Sequence, residues 1–253
     1  MNALIYWISN PIWVGGTLGI TALTACQEFF NNGHPLPGAE ILGGATVLDV
    51  LFVLAFIWFA VIAAIVSFRV GKWVPTIGAF VRIAVLAFFT LSVVIYAVKH
   101  GVHGTFGGGK FLPSYAVFIA AVPVLFFNYV GFELPSAAGE EMKNPQRDVP
   151  FAVIRSAVGT VLLYGVPILS ILLPLSAKQV TGLGGFLAAI KSVFTVYGGH
   201  IAANGTPVLT GAGTVLGYLM ATAFILALLT SGTTWIMGAD RAQAPSRSPA
   251  ATR

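Results

Sequence analysis

Six apolar runs, at about residues 3–30, 47–68, 73–99, 113–144, 153–175 and 213–237, constrain this chain more than anything else in it. About 20 predominantly apolar residues cross a bilayer core as a helix, and each run reaches that length. Backbone amides in hydrocarbon must be satisfied within the spanning structure, so only helices or closed barrels cross, and runs this long select helices. Composition agrees: 57% of residues are hydrophobic and 8% are charged, against roughly 25% charged in soluble domains. The expected fold is therefore an all-α polytopic membrane protein seated in a lipid bilayer. Residues 1–243 read as one transmembrane domain and 244–253 as a disordered, low-complexity tail.

The net charge of +5 is not a nucleic-acid footprint, because the thirteen Lys and Arg fall mostly between apolar runs. Arg69, Lys72, Lys143, Arg147, Arg155, Arg241, Arg247 and Arg253 fall on one side, and Lys99, Lys110, Lys178 and Lys191 on the other. The positive-inside rule puts the richer side in the cytoplasm of a multi-pass cell-membrane protein, and with six spans both the N-terminus and the C-terminal tail fall there. Between the fifth and sixth runs, Gly185–Phe194 has helical apolar spacing but is too short to span, and reads as an interfacial or loop helix. The connection Asn31–Gly38 carries the Asn, Gly and Pro of an ordered turn.

Three polar features lie inside the spans. The fourth run contains Gly131, Glu133 and Pro135 within five residues. A carboxylate at mid-membrane costs about 2.5–3.5 kcal/mol on insertion scales, and intramembrane acids mark pathways and relays. Glycine and proline beside it favour departure from helical geometry, which membranes tolerate only in protein or against a wet cavity. The reading is a helix broken near Gly131–Pro135 around a binding site. Arg82 is the second feature; it lies nine residues beyond Trp73, about 13–14 Å along a helix, so snorkelling and function are equally open. The third is the hydroxyl cluster Thr230, Ser231, Thr233 and Thr234 before Trp235, which could also bond its own helix or glue neighbours.

No soluble-enzyme constellation stands out. Ser136 lacks a G-x-S-x-G setting, and His34, His100, His103 and His200 fall in loops, where His100 and His103, three apart, are a weak metal signal. Cys26 is alone, so no disulfide framework exists. No cofactor, metal site or nucleic-acid partner is expected.

Tyr129-Val-Gly-Phe-Glu133, followed by Ala137-Ala-Gly-Glu-Glu-Met-Lys-Asn-Pro-Gln-Arg-Asp-Val-Pro150, resembles the sixth helix and following connection of the amino acid–polyamine–organocation (APC) superfamily of permeases. Tyr6-Trp-Ile-Ser-Asn10 is similar to that family's third helix, and Trp235-Ile-Met-Gly-Ala-Asp-Arg241 to the end of its eighth. The resemblance implies a partial LeuT-like bundle of two inverted five-helix repeats, with this chain covering helices three to eight. It implies an amino acid or related amine as substrate, moved by a secondary permease, proton-coupled or exchanging. Phe127 would close over substrate, and Gly131, with Tyr129 and Phe132 beside it, would offer unwound backbone to the substrate's main-chain groups. Glu133 would couple closure or proton movement to transport. Asn10 and Thr234 or Trp235 would line the pocket, and Arg82 would stand where many members carry a lysine that substitutes for sodium, near Ser231 and Thr234. An arginine there keeps its charge.

The family's first two helices and its ninth and tenth have no counterpart, so the expectation is a truncated form that does not transport alone. A six-span structural or channel-like protein is the alternative, although neither a pore loop nor a charged ring is visible. A membrane-embedded enzyme is disfavoured because Glu133 stands alone.

Overall fold

The computed structural model describes residues 8–70, 73–101, 114–129, 142–172, 182–203 and 205–243. The first run is helical from residue 8 but is not uniform. Directly after Pro11, Ile12–Gly19 is a π-helix, and α1 (Ile20–Phe30) resumes ordinary geometry. Proline lacks an N–H and its ring crowds the preceding turn, so a kink was the expectation at this point. The wider π turn is how the described helix continues past Pro11. Gly15 and Gly19 make the widened segment fit, since a methyl on either would press on Ile57 or Val53 of the next helix.

That next helix, α2 (Val47–Val70), is followed by α3 (Trp73–His100), α4 (Tyr115–Tyr129), α5 (Pro145–Leu172), α6 (Gly182–Phe194) and α7 (Ala212–Gln243). Among the described residues four stretches are long and apolar enough to cross a membrane: Val47–Ser67, Trp73–His100, Pro145–Leu172 and Ala212–Asp240. They coincide with four of the six expected runs. Of the fourth run residues 114–129 and 142–144 are described, so the expected break at Gly131–Pro135 lies outside the described residues, as does the tail 244–253.

Two boundaries differ from the sequence reading. The helix α5 starts at Pro145, eight residues before the expected 153. Asn144 carbonyl accepts from the N–H groups of Arg147 and Asp148, and proline suits a first helical position because its missing N–H needs no partner there. The sixth run extends to Gln243 rather than 237.

The helix α6, expected over 185–194 as an interfacial or loop helix, runs from Gly182 to Phe194 and is firmly packed: Leu187, Val193 and Phe194 are almost wholly inaccessible, in one core with Phe29, Phe89, Val93, Ile171 and Met220. Its apolar stripe of Phe186, Leu187, Ile190, Val193 and Phe194 repeats every three or four residues and so faces one way. Thirteen residues span about 20 Å, too short to cross, but enough to plug the end of the bundle between α1, α3 and α7. A second core joins the π-helical segment to α2 and α7 through Val14, Leu18, Ala22, Phe56 and Ala60. Thus α7 is shared by both cores. The outward faces of α2 and α5 remain apolar and accessible, with Trp58, Phe59, Ile154 and Leu162 more than half exposed, as lipid-facing surfaces should be.

Two small antiparallel hairpins, β1 (Glu40–Leu42) with β2 (Ala45–Thr46) and β3 (Gly199–Ile201) with β4 (Pro207–Leu209), fold the connections at the α6 end. The first is tied down by Asp49, which is buried. Its carboxylate accepts from Gln27 Nε2 at 2.9 Å, Leu36 N–H at 3.1 Å and Thr46 N–H at 3.0 Å. In return Asp49 N–H donates to Thr46 Oγ at 3.2 Å, a reciprocal capping box that starts α2.

Candidate functional site

The π-helical segment, α3 and α7 converge on three groups of chemically active side chains. The first is the crossing of α3 and α7. Gly78 lies against Thr230 so closely that an added Cβ would overlap the Thr230 side chain, including its own Cβ. Small residues let membrane helices approach in this way. One turn further along α3, the half-buried Arg82 reaches α7, where its guanidinium donates to Ser231 Oγ and, at 3.4 Å, to the Ala227 carbonyl. The described residues contain one ion pair, Lys191–Glu28, so no described carboxylate neutralises Arg82. Among the described residues its charge is met by neutral dipoles.

The hydroxyl cluster divides. Thr233 Oγ1 donates to Leu229 carbonyl at 3.0 Å, with the Ala60 carbonyl of α2 at 3.5 Å, and Thr234 Oγ1 donates to Thr230 carbonyl at 2.8 Å within α7. Thr230 does likewise toward Leu226 and Ala227. These three follow the usual habit of membrane hydroxyls. Ser231 is the member of the cluster that meets Arg82. Thr234 is exposed and makes no described contact with Arg82.

The second group is aromatic. Trp13, on the π-helical segment, and Trp235, on α7, stand with ring centroids 5.7 Å apart at a 44° tilt. Asn10 precedes Trp13 by three residues, and its Oδ1 is buried with no hydrogen-bond partner among the described residues. A buried amide oxygen left in this state costs about 1–3 kcal/mol unless something donates to it. Asn10 and Trp235 were both expected at the pocket; Trp13 was not singled out.

The third group closes the α6 end. Lys191 Nζ donates to Glu28 Oε1 at 3.3 Å and to the Glu28 carbonyl at 3.0 Å, joining α6 to α1. Lys99 Nζ donates to Val196 carbonyl at 3.0 Å, and Ser92 and Tyr197 share a hydroxyl contact of 2.9 Å. These pairs were not singled out in the sequence, where partners lie 97 to 163 positions apart.

Of the remaining expected site residues, Phe127 and Tyr129 lie on α4, but their side chains are outside the described residues, as are Gly131, Phe132 and Glu133 altogether. Among the described residues no group of three His, Cys, Asp or Glu stands together as a metal set.

A family model described as "Amino acid permease" matches residues 1–241. The chain belongs to the amino acid permease family. Relatives of this family member include a probable agmatine/putrescine antiporter of Lactococcus lactis subsp. lactis (strain IL1403), 22% identical over 160 residues, which are 63% of this chain and 32% of that protein. Cationic amino acid transporter 5 of Arabidopsis thaliana is 28% identical over 179 residues, 70% of this chain and 30% of that one. A branched-chain amino acid permease of Bacillus subtilis (strain 168) is 30% identical over 95 residues, 37% of this chain and 19% of that one. The chain thus covers less than a third of the length of these relatives. No solved structure matches it. This family member is accordingly a multi-pass membrane protein of the APC superfamily, built from apolar helices, and its relatives are transporters rather than enzymes.

Proposed function

We propose that this chain supplies helices three to eight of a secondary permease for amino acids or related amines, working by proton coupling or exchange. The observation that carries the reading is Arg82, a permanent cation reaching across the α3–α7 crossing to Ser231 and Ala227 with no described carboxylate beside it. In this reading Arg82 is a fixed charge that clamps α3 to α7 in place of a bound metal cation. Ser231 is its partner, and Glu133 is the titrating acid that couples protons or closure to transport. Asn10, Trp235 and Thr234 form one wall of the substrate pocket. Phe127, Tyr129, Gly131 and Phe132 form the other, with backbone turned toward the substrate's main-chain groups.

The unpartnered Asn10 oxygen supports a substrate that brings a hydrogen-bond donor, such as an amine. Because the relatives are more than three times as long as the matched region, transport is assigned to the complete permease domain, and the 253-residue chain alone is expected to be inactive. Both ends lie in the cytoplasm in this arrangement.

Uptake of labelled amino acids, agmatine and putrescine into proteoliposomes tests the reading, with a full-length relative as positive control. The isolated chain should show no uptake above empty liposomes, and the relative should lose uptake when the residues matching Glu133 and Arg82 become glutamine. Uptake by the isolated chain would overturn the assignment of activity to the longer protein. Unimpaired uptake by both glutamine variants would remove the coupling roles.

A further inference from the structure

A second arginine within a long apolar helix has no part in that site. Arg155 sits on α5, on a face turned away from both cores, and its guanidinium lies 4.2 Å from the centre of the Phe151 ring. Phe151 and Ile154 around it are 56% and 63% exposed, so no described residue covers this side of the helix. Arg147 precedes Phe151 by four residues, as Phe151 precedes Arg155, so all three lie on one stripe. Arg147 is exposed, and among the described residues neither arginine forms an ion pair. Asp148, in the same first turn, is only partly accessible and pairs with neither.

The length of α5 fixes the depth of this stripe. Its 28 residues extend about 42 Å, some 12 Å more than a hydrocarbon core of about 30 Å. The far end is apolar through Leu172, whereas the near end carries Gln146, Arg147 and Asp148, so the excess lies at the near end. Arg147 therefore stands among headgroups and Arg155 at the boundary with the acyl chains. Helical side chains lean toward the N-terminus, and stacking on Phe151 holds the Arg155 guanidinium in that direction, toward the headgroups.

We infer that the Arg147–Phe151–Arg155 stripe is a binding site for the headgroup phosphate of an anionic phospholipid. The two guanidiniums bracket the phosphate, and the Phe151 ring and Ile154 cover the glycerol and upper acyl chain. Charge complementarity and the level of the stripe select this occupant: at that depth the anions available in quantity are lipid phosphates. An arginine facing lipid there is stable only by reaching such a group or water. Each cation near a membrane surface adds about 1 kcal/mol of attraction for anionic lipid, which is about five-fold in occupancy.

Native mass spectrometry of the purified 253-residue chain, offered equimolar phosphatidylglycerol and phosphatidylcholine, reads the preference directly. The wild type should retain phosphatidylglycerol selectively. Arg147→Gln and Arg155→Gln should each lower that selectivity about five-fold, and Arg155→Lys should keep most of it. Arg147 lies outside the hydrocarbon, so Arg147→Gln folds and decides the matter if Arg155→Gln does not. Equal retention of the two lipids by the wild type, or unchanged selectivity in Arg147→Gln, overturns the inference. Displacement of phosphatidylglycerol by excess inorganic phosphate overturns the lipid assignment in favour of a free-phosphate site.

Discussion

Arg82 and Lys191 are both cations drawn into the helical bundle, and each joins two helices, yet their charges are met in opposite ways. Lys191 finds a carboxylate: it lies against Glu28 Oε1 and the Glu28 carbonyl, with side chains only 12% and 18% exposed. The pair is electrically complete, and its work is to hold α6 on α1. Among the described residues Arg82 finds a hydroxyl and a carbonyl, two dipoles that orient the guanidinium, and no carboxylate. A charge inside a membrane bundle costs free energy, and one without a described counter-ion makes the Arg82 crossing the better place to look for function and the Lys191 pair the better place to look for rigidity.

The sharpest way to break this contrast is at Gly78. Gly78→Ala forces α3 away from Thr230 and should destabilise the chain by about 2–3 kcal/mol, lowering the thermal midpoint in detergent by several degrees. Because the Thr230 Cβ itself stands in the way, Thr230→Gly should restore much of the loss and Thr230→Ala should not. Rescue by both alike would mean that the approach is looser than it is drawn. Next in size is Lys191→Met, which leaves Glu28 partly buried beside an apolar side chain and should cost about 2 kcal/mol. Adding Glu28→Gln should recover part of it in a double-mutant cycle, which the Arg82 site, with no described carboxylate, does not offer.

Ser231→Ala should cost less, about 1 kcal/mol by the same thermal assay, since Arg82 keeps the Ala227 carbonyl. A loss as large as that of Lys191→Met would show that Ser231 holds the charge alone. The smallest effect is expected from Trp13→Leu, about 0.5–1 kcal/mol for the lost ring pair. It should be accompanied by weaker near-ultraviolet circular dichroism from the Trp13–Trp235 contact.

How far the sequence carries these features depends on the range over which each is determined. The helices α2 and α3 begin and end where the apolar runs do, because leaving hydrocarbon is a local, residue-by-residue cost; Val47 and Trp73 were readable for that reason. The proximity of Arg82 to Ser231 was reachable through family resemblance and through the rarity of intramembrane arginine, but nothing in the sequence told Ser231 from Thr233 or Thr234. Helical phase decides which hydroxyl faces α3, and a crossing angle cannot be read from one chain.

The burial of α6 was missed because its stripe of Phe186, Leu187, Ile190, Val193 and Phe194 is equally compatible with a membrane surface and with a protein core. The Lys191–Glu28 pair belongs to the same class: a long-range partner leaves no local trace. Asp49 did leave one, in the Thr46-Val-Leu-Asp49 spacing of a capping box, and that signal could have been used.

The β1–β2 hairpin offers a practical handle. Its turn, Gly43–Gly44, has positive φ at both residues, and nothing approaches where their side chains would be. Asp49 anchors the base of the hairpin from within, so the tip is free of the bundle's packing. A short epitope or biotin-acceptor peptide inserted between Gly43 and Gly44 therefore gives a reporter that need not disturb any helix. If both ends of the chain lie in the cytoplasm, as proposed above, that reporter is displayed at the outer surface, and labelling of intact cells by a membrane-impermeant reagent tests the proposed orientation.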